Sequence, residues 1–303
     1  MKTGHLLDQI IAEKERTGAK ILAHTYQTPD ILTVADVVGD SFALAQAATS
    51  LSADRVVVCG VRFMAETVKI LSPQKQVILP SPTATCPMAE QIAPAAVASF
   101  KREHPEVAVV CYINTTAAFK AECDICVTSS SAVRIVRGLE ADTILFVPDQ
   151  NLGAFVQKEV PEKSVILWDG CCPIHHAVTA ADVLAAKAAH PAAKVAVHPE
   201  CRPEVAALAD MIGATGAIID YLHAESGEII VGTERGVVDG IRAQTPGRVL
   251  HQLRPDLLTC PDMKQTTPEI LYRALRGESG ENITLDEPLR LRAKHCLDEM
   301  LQR

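Results

Sequence analysis

One short pattern occurs three times along this chain and limits the folds that the chain can adopt. Three of its ten cysteines are followed by proline, namely Cys86, Cys172 and Cys260. These cysteines lie 62, 60 and 62 residues, respectively, after the ends of three short apolar segments. Those three segments end at His24, Tyr112 and His198. A repeat of this length indicates a chain built from copies of one supersecondary unit.

Two further sets of polar residues share the same spacing. Two residues after each segment end lie Tyr26, Asn114 and Glu200. Seventeen residues after each segment end lie three hydroxyl side chains, those of Ser41, Ser129 and Thr215. Because three independent spacings agree, we interpret the chain as a genuine triplication.

Short runs rich in Val and Ile alternate with alanine-rich helical stretches along the whole chain. This alternation predicts a parallel α/β protein, with first strands near 21–24, 107–112 and 195–198. The predicted fold is three repeated α/β/α units about a pseudo-threefold axis, with a central active site. The predicted limits are 1–104 for the first unit, 105–192 for the second, and 193–303 for the third with the C-terminal helices.

The repeated cysteines are candidate metal ligands. Open α/β sheets bind ligands at the carboxyl ends of their strands, so inward-facing units would bring three thiolates together. Three thiolates could hold zinc or a [4Fe-4S] cluster. Clusters are usually held by four cysteines, so three would leave one iron open as a Lewis acid for a substrate oxygen. We interpret Cys59, Cys111, Cys201 and Cys296 as ordinary buried side chains.

The remaining repeated residues are candidates for substrate binding and proton transfer. The hydroxyls at 41, 129 and 215 open helical stretches, which predicts N-caps beside helix N-termini that attract anions. The candidates for general acid–base catalysis are His24, Tyr26, His198 and Glu200. We assign orienting roles to Tyr112 and Asn114. Two residues that follow the second and third thiols, His175 and Lys264, are predicted to lie near the metal site.

Charge and composition exclude several classes of protein. The net charge is −8 and the chain has no Lys/Arg run, which argues against binding to nucleic acid or to an anionic membrane. No apolar stretch reaches the roughly 18 to 20 residues of a membrane helix, and acidic residues interrupt the start where a signal peptide would be apolar. We therefore expect a cytoplasmic protein whose cysteines form no disulfide framework.

Several longer stretches are typical of one enzyme family. They include VGDSFALAQAA, CGVRFMAETVKIL, TCPMA, FVPDQNLG, WDGCCPIHHAVT and CPDMKQTT, in order from about residue 20 to about residue 268. On these stretches the chain resembles quinolinate synthase, a bacterial family of NAD biosynthesis. The resemblance implies three α/β/α domains and one [4Fe-4S] cluster, with one cysteine ligand per domain, at Cys86, Cys172 and Cys260.

The resemblance also implies an activity. A transferase of this family condenses iminoaspartate with dihydroxyacetone phosphate, then dehydrates the product to quinolinate, with release of phosphate and two waters. Tyr26 matches the family's acid–base tyrosine. The substrate contacts carried over are His24, Ser41, Tyr112, Asn114, Ser129, His198, Glu200 and Thr215. A transient contact with the enzyme that produces iminoaspartate is a further implied partner.

Two other functions are compatible with three gathered cysteines. A radical enzyme of diphthamide synthesis would need an S-adenosylmethionine site and a protein substrate, whereas the strand-end pairs favour a small polar acid. An iron–sulfur redox sensor would need an output surface such as a basic helix-turn-helix, and the sequence shows none.

Overall fold

The strands of this computed structural model, which describes residues 2–303, form three sheets that follow one another along the chain. The first contains β1 (Lys20–His24), β2 (Val37–Gly39), β3 (Arg55–Cys59) and β4 (Gln76–Leu79). The second contains β5 (Ala108–Tyr112), β6 (Ile125–Val127), β7 (Thr143–Val147) and β8 (Ser164–Leu167). The third contains β9 (Lys194–Val197), β10 (Met211–Ile212), β11 (Ile229–Gly232) and β12 (Leu250–Gln252).

The three sheets share one strand order. In each, the first strand of the set lies between the second and the third, and the fourth lies beyond the third. All these pairs are parallel. The predicted fold class, α/β with repeated parallel sheets flanked by helices, is confirmed, and the pseudo-threefold axis stays a prediction.

Helices connect the strands, as parallel pairing requires. Up to the start of β5 they are α1 (Lys2–Thr17), α2 (Pro29–Val34), α3 (Ser41–Ser50), α4 (Arg62–Leu71), a 3₁₀ turn (Pro87–Glu90) and α5 (Pro94–Glu103). Around the second sheet they are α6 (Ala117–Lys120), α7 (Ala132–Arg137), α8 (Gln150–Glu159), α9 (Pro173–His176) and α10 (Ala180–Ala189). The rest are α11 (Pro203–Ala206), α12 (Thr215–Ala224), α13 (Gly236–Gln244), α14 (Pro268–Leu275) and α15 (Glu287–Gln302). No helix within 2–303 is both long and apolar enough to cross a bilayer.

The chain forms two compact units that differ from the three predicted ranges. The first combines the residues up to Cys86 with Cys260–Leu291, and the second combines Pro87–Thr259 with the segment from Arg292. The predicted third range, 193–303, therefore contains a segment that packs in the first unit. There the buried side chains of Leu271 and Leu275 on α14 join the core around β1. A short strand, β13 (Glu281–Asn282), pairs antiparallel with β4.

One recurring hydrogen bond marks the repeat in the structure. In each sheet, a backbone N–H of the first strand donates a hydrogen bond to an aspartate side chain at 2.7 to 2.8 Å. The aspartate always lies fifteen residues after the donor in the sequence. The acceptor and donor pairs are Asp36 and Ile21, Asp124 and Val109, and Asp210 and Val195. These bonds fix the entry to the second strand of each sheet. The sequence contains this fourth repeated residue, but we did not predict it.

Candidate active site

The end of strand β9 carries two of the predicted site residues in buried positions. His198 is 2 % exposed and Glu200 is 4 % exposed. The backbone N–H of Glu200 donates to His198 Nδ1 at 3.3 Å. This bond requires an unprotonated Nδ1, so the neutral imidazole carries its proton on Nε2.

The carboxylate of Glu200 joins residues from two sheets of the second unit. Tyr112, at the end of β5, donates its hydroxyl to Glu200 Oε1 at 2.7 Å. Nδ1 of His175 lies 2.8 Å from Glu200 Oε2, and the ring of His175 stacks on that of His198 at 4.9 Å. The structure thus brings together four residues that the sequence had placed at equivalent strand ends or beside a repeated cysteine.

These contacts lower the pKa of the buried Glu200 carboxyl group. Burial alone would raise the pKa of Glu200, but the imidazoles of His198 and His175 and the Tyr112 hydroxyl hold that pKa well below its usual range. Burial lowers the pKa of His198 to about 4, and the nearby Glu200 charge only partly opposes this. At neutral pH the site therefore contains an ionised glutamate and a neutral His198.

Cys172 lies beside this network. Its Sγ is 3.3 Å from Nδ1 of His175, and its backbone N–H donates to Asp149 Oδ2 at 2.9 Å. The ligand atoms of Cys172, His175 and Glu200 all lie within 4.8 Å of one another. Nε2 of His175 is 3.1 Å from Thr233 Oγ1, which fixes the ring. A half-buried thiol among these donors fits a metal-bound group.

Asp149 and Asn151 belong to this region, and we did not predict them. Asp149 is fully buried and caps α8 by accepting the N–H of Leu152 at 2.8 Å. Burial and the charge of Glu200 raise the pKa of Asp149 to about 8, against the backbone N–H groups that lower it. Asn151 donates to the main-chain oxygen of Glu200 at 2.9 Å. Their signal was a polar run directly after β7, at the carboxyl edge of the sheet.

The end of strand β1 carries the equivalent pair in the first unit. The backbone N–H of Tyr26 donates to Nδ1 of His24 at 3.1 Å, and the two rings meet edge to face at 4.5 Å. Lys264 donates to the carbonyl oxygen of Tyr26, and the side chain of Gln27 donates to the carbonyl oxygen of Met263 at 2.6 Å. Hydrogen bonds therefore hold the segment after Cys260 against this strand end, and the place of Lys264 near the metal site stays a prediction.

The prediction that the repeated hydroxyls are N-caps is wrong. Ser41 and Thr215 are the first residues of their helices, and Ser129 precedes the N-cap of α7 by two residues. The observed N-cap residues are Asp40, Ser131 and Ala214. The carboxylate of Asp40 accepts the Ala43 N–H at 2.9 Å and so takes the capping role. The hydroxyls thus stand at or next to helix starts without capping them.

Asn114 contributes an unpaired acceptor. Its Oδ1 is buried and has no hydrogen-bond partner among residues 2–303. A buried acceptor left without a donor costs roughly 1–3 kcal/mol. A donor group of a bound molecule would remove this cost, which fits the predicted orienting role.

The cysteines of the chain differ in exposure in a way that follows the repeat. The three that precede proline are half-buried, and Cys171 is the other half-buried one. The buried cysteines are Cys59, Cys111, Cys123, Cys126, Cys201 and Cys296. Cys86 and Cys260 belong to the first unit and Cys172 to the second. A metal group that must also contact a substrate needs ligands near a surface, so half-buried thiols suit it better than fully buried ones.

A second group of thiols could hold a metal ion. The Sγ atoms of Cys111, Cys126 and Cys296 lie within 4.8 Å of one another in the core of the second unit. Cys111 and Cys296, which the sequence analysis interprets as ordinary buried side chains, lie 185 residues apart in the chain. None of the three predicted cluster ligands belongs to this group.

Comparison with known proteins places the chain among enzymes of one kind. The family model described as quinolinate synthetase A protein matches residues 8–302. Quinolinate synthase of Alkaliphilus metalliredigens is 46 % identical over 303 residues, which cover 100 % of this chain and 99 % of the relative. Quinolinate synthase of Caldicellulosiruptor saccharolyticus is 46 % identical over 290 residues, which cover 95 % of each chain. Quinolinate synthase of Methanoregula boonei is 44 % identical over 301 residues, which cover 99 % of this chain and 98 % of the relative.

Proposed function

Because this chain belongs to the quinolinate synthase family, we propose that it makes quinolinate for NAD biosynthesis from iminoaspartate and dihydroxyacetone phosphate. The reaction releases one phosphate and two waters, which balances all atoms. The observation that carries the proposal is the buried network of Tyr112, Glu200, His175 and Cys172, which combines a thiol ligand with groups that bind and protonate a small acid.

We propose that Cys86, Cys172 and Cys260 hold one [4Fe-4S] cluster. Support comes from their shared repeat position, their half-buried thiols, and the imidazole 3.3 Å from Cys172 Sγ. When bound, the cluster supplies a Lewis-acidic iron for a substrate oxygen. The buried thiols of Cys111, Cys126 and Cys296 are left out of this assignment because no substrate can reach them.

Glu200 serves best as a fixed negative charge. A carboxylate whose pKa is held below its usual range is a poor base at neutral pH. It instead orients the Tyr112 hydroxyl and stabilises a positive charge on His175 when that imidazole takes up a proton. His175 is therefore the group through which Glu200 acts in proton transfer.

The two strand-end histidines present neutral donors. Because Nδ1 of each accepts a backbone N–H, the proton of His24 and of His198 lies on Nε2. Nε2–H groups donate to carboxylate or phosphate oxygens without requiring a charged imidazole. Both substrates are anions, so these donors are suited to hold them.

Tyr26 is the candidate for moving a proton in the first unit. Its phenol lies against the edge of His24 and is half-buried, so it is both oriented and accessible. A phenol can pass a proton between a carbon acid and an oxygen during enolisation and dehydration. Lys264, bonded to the Tyr26 carbonyl, holds this residue in place.

The helix starts at Ser41 and Thr215 complete the anion site in our proposal. Both open ten-residue helices whose N-terminal N–H groups favour negative charge. Their hydroxyls, together with that of Ser129, add donors for the two carboxylates of iminoaspartate. We propose small-molecule substrates, a transient contact with the enzyme that supplies iminoaspartate, and a cytoplasmic location.

The direct test is an assay of protein purified without oxygen. Iron and sulfide should be present at about four atoms of each per chain, and quinolinate and phosphate should form in equal amounts from the two substrates. A reaction without dihydroxyacetone phosphate is the control and should yield neither. Iron-loaded protein that forms no quinolinate would overturn the proposed activity.

The ligand assignment has its own test. Cys86→Ser, Cys172→Ser and Cys260→Ser should each lose the brown colour of the cluster and all activity. Cys59→Ser, at a buried thiol of the first unit, is the matched control and should keep both. Loss of the cluster in Cys126→Ser but not in Cys172→Ser would move the ligands to the buried group. Zinc in place of iron would reject the iron–sulfur assignment.

A further inference from the structure

Four cysteines that the proposed reaction does not use lie together in the core of the second unit. Cys111 on β5 and Cys126 on β6 are direct partners across parallel strands, so their side chains share one face of the sheet. Cys296 of α15 lies over that face, with its Sγ 3.4 Å from the Sγ of Cys111. Cys123 precedes β6, three residues before Cys126, and its thiol donates to the carbonyl oxygen of Phe119 at 3.3 Å. All four are at most 5 % exposed.

The spacing of the sulfur atoms is that of a metal site. Zinc–sulfur bonds of about 2.3 Å in a tetrahedron place ligand sulfurs about 3.8 Å apart. The sulfurs of Cys111, Cys126 and Cys296 already lie between 3.4 and 4.8 Å from one another. The Cys123–Cys126 pair also has the two-residue spacing common among structural zinc ligands, and Cys111 and Cys296 supply the second pair.

A buried positive charge lies near the group. Lys120 is fully buried, and its ammonium donates to the carbonyl oxygen of Ile113 at 2.7 Å. Lys120 lies close enough for its positive charge to act on Cys111 and Cys126. A buried cation is costly without a counter-charge, and a metal bound by four thiolates carries net negative charge.

We propose that Cys111, Cys123, Cys126 and Cys296 bind one structural zinc ion that is separate from the iron–sulfur cluster. The thiol protons are released to solvent on binding, as ligation by thiolates requires. Cys123 turns its thiol from the carbonyl oxygen of Phe119, at 3.3 Å, toward the metal. Four thiolates leave no open position, so the ion joins β5, β6 and the end of α15 and takes no part in the reaction.

The first experiment uses the complete protein with its cluster. Metal analysis after dialysis against a weak chelator should find about one zinc per chain in addition to iron. The partly exposed group of His190, Glu228 and His251 could also take up zinc, so the analysis is repeated on His251→Ala, which should keep about one zinc. A chain without zinc, or one that loses zinc in His251→Ala, would overturn the proposal.

Variants identify the ligands. Cys126→Ser and Cys296→Ser should lose the zinc while keeping the iron and quinolinate formation at low temperature, and Cys59→Ala is the matched control that keeps both metals. Should these variants fail to fold, cobalt introduced into the wild-type protein decides, because tetrahedral cobalt bound by four thiolates has characteristic absorption. Cobalt bands typical of oxygen or nitrogen ligands, or variants that lose iron instead of zinc, would contradict the assignment. The outcome is independent of the proposed function, since metal content is measured without activity.

Discussion

The first strands of the first and third sheets end in the same way and lead to different chemistry. His24 and His198 both accept a hydrogen bond at Nδ1 from the backbone N–H two residues later, at 3.1 and 3.3 Å. In the first unit the donor residue is Tyr26, which is half-buried and whose ring meets the imidazole of His24 edge to face. In the second unit it is Glu200, buried and in contact with Tyr112 and His175.

The two strand ends share one backbone feature and differ in one side chain. The repeated part is the backbone bond that fixes the imidazole tautomer, and it is the same in both places. The variable part is the side chain two residues later, which is a neutral phenol in one copy and an ionised carboxylate in the other. The repeat thus supplies the geometry, and we expect the residue two positions after the histidine to set the proton chemistry of each copy.

Removing the charge from the buried copy should have the largest effect. Glu200→Gln keeps the shape of the side chain but cannot stabilise a proton on His175, so we expect kcat to fall about 1000-fold. The cluster absorption and iron content should be unchanged, and Glu200→Asp should retain more activity than Glu200→Gln. Steady-state kinetics under anaerobic conditions give the answer, and turnover near that of wild type would exclude Glu200 from the mechanism.

The phenol of the first copy should matter somewhat less. Tyr26→Phe retains the edge contact with His24 and removes only the hydroxyl, so folding should be preserved. We expect kcat to fall about 100-fold, the lower part of the range for a positioned acid or base. Equal kcat in Tyr26→Phe and wild type would show that the two strand ends do not share proton transfer.

The hydroxyls and their neighbouring caps offer a matched pair of substitutions. Ser41→Ala should weaken quinolinate binding about 10- to 100-fold while leaving the melting temperature unchanged, because Ser41 caps nothing. Asp40→Ala should do the reverse and cost about 1 kcal/mol of stability by removing the bond to the Ala43 N–H. Thr215→Ala should weaken binding in the same way. Thermal melts beside quinolinate titrations test both, and a reversed pattern would return the capping role to Ser41.

Most of the fold could be predicted from sequence because the repeat is visible in it. The predicted first strands agree with β1, β5 and β9 to within one residue, since each is a buried run of Val, Ile or Ala. The strand-end pairs were visible for the same reason. The prediction that failed is a local one: Asp40 and Ser41 are adjacent at the start of α3, and only the geometry decides which of them caps the helix.

Long-range packing was beyond the sequence. Nothing in the spacing shows that α14 and β13 join the first unit, since α14 packs through apolar side chains against the core around β1 and β13 pairs with β4 through its backbone. The same holds for the buried thiols, because Cys296 reaches Cys111 only through the packing of α15. Asp149 and Asn151 escaped prediction for a different reason: they follow the third strand of their set, whereas the repeated spacing starts from the first strand.

The smallest expected effect is on stability and concerns the buried histidine alone. The pKa of His198 is about 4 in the folded protein and about 6.5 when the chain is unfolded, so between these values the unfolded chain binds more protons. Stability therefore falls as pH falls, and this group should account for a loss of about 1 kcal/mol between pH 6.5 and 5.5. His198→Gln removes that contribution, so its stability should depend less steeply on pH than that of wild type in urea melts over this range. His223→Gln, at an exposed histidine on α12, is the control and should follow the wild-type curve. If the curves of wild type and His198→Gln run parallel, the imidazole is as easily protonated in the folded protein as in water, and the neutral donor assigned to this strand end is excluded.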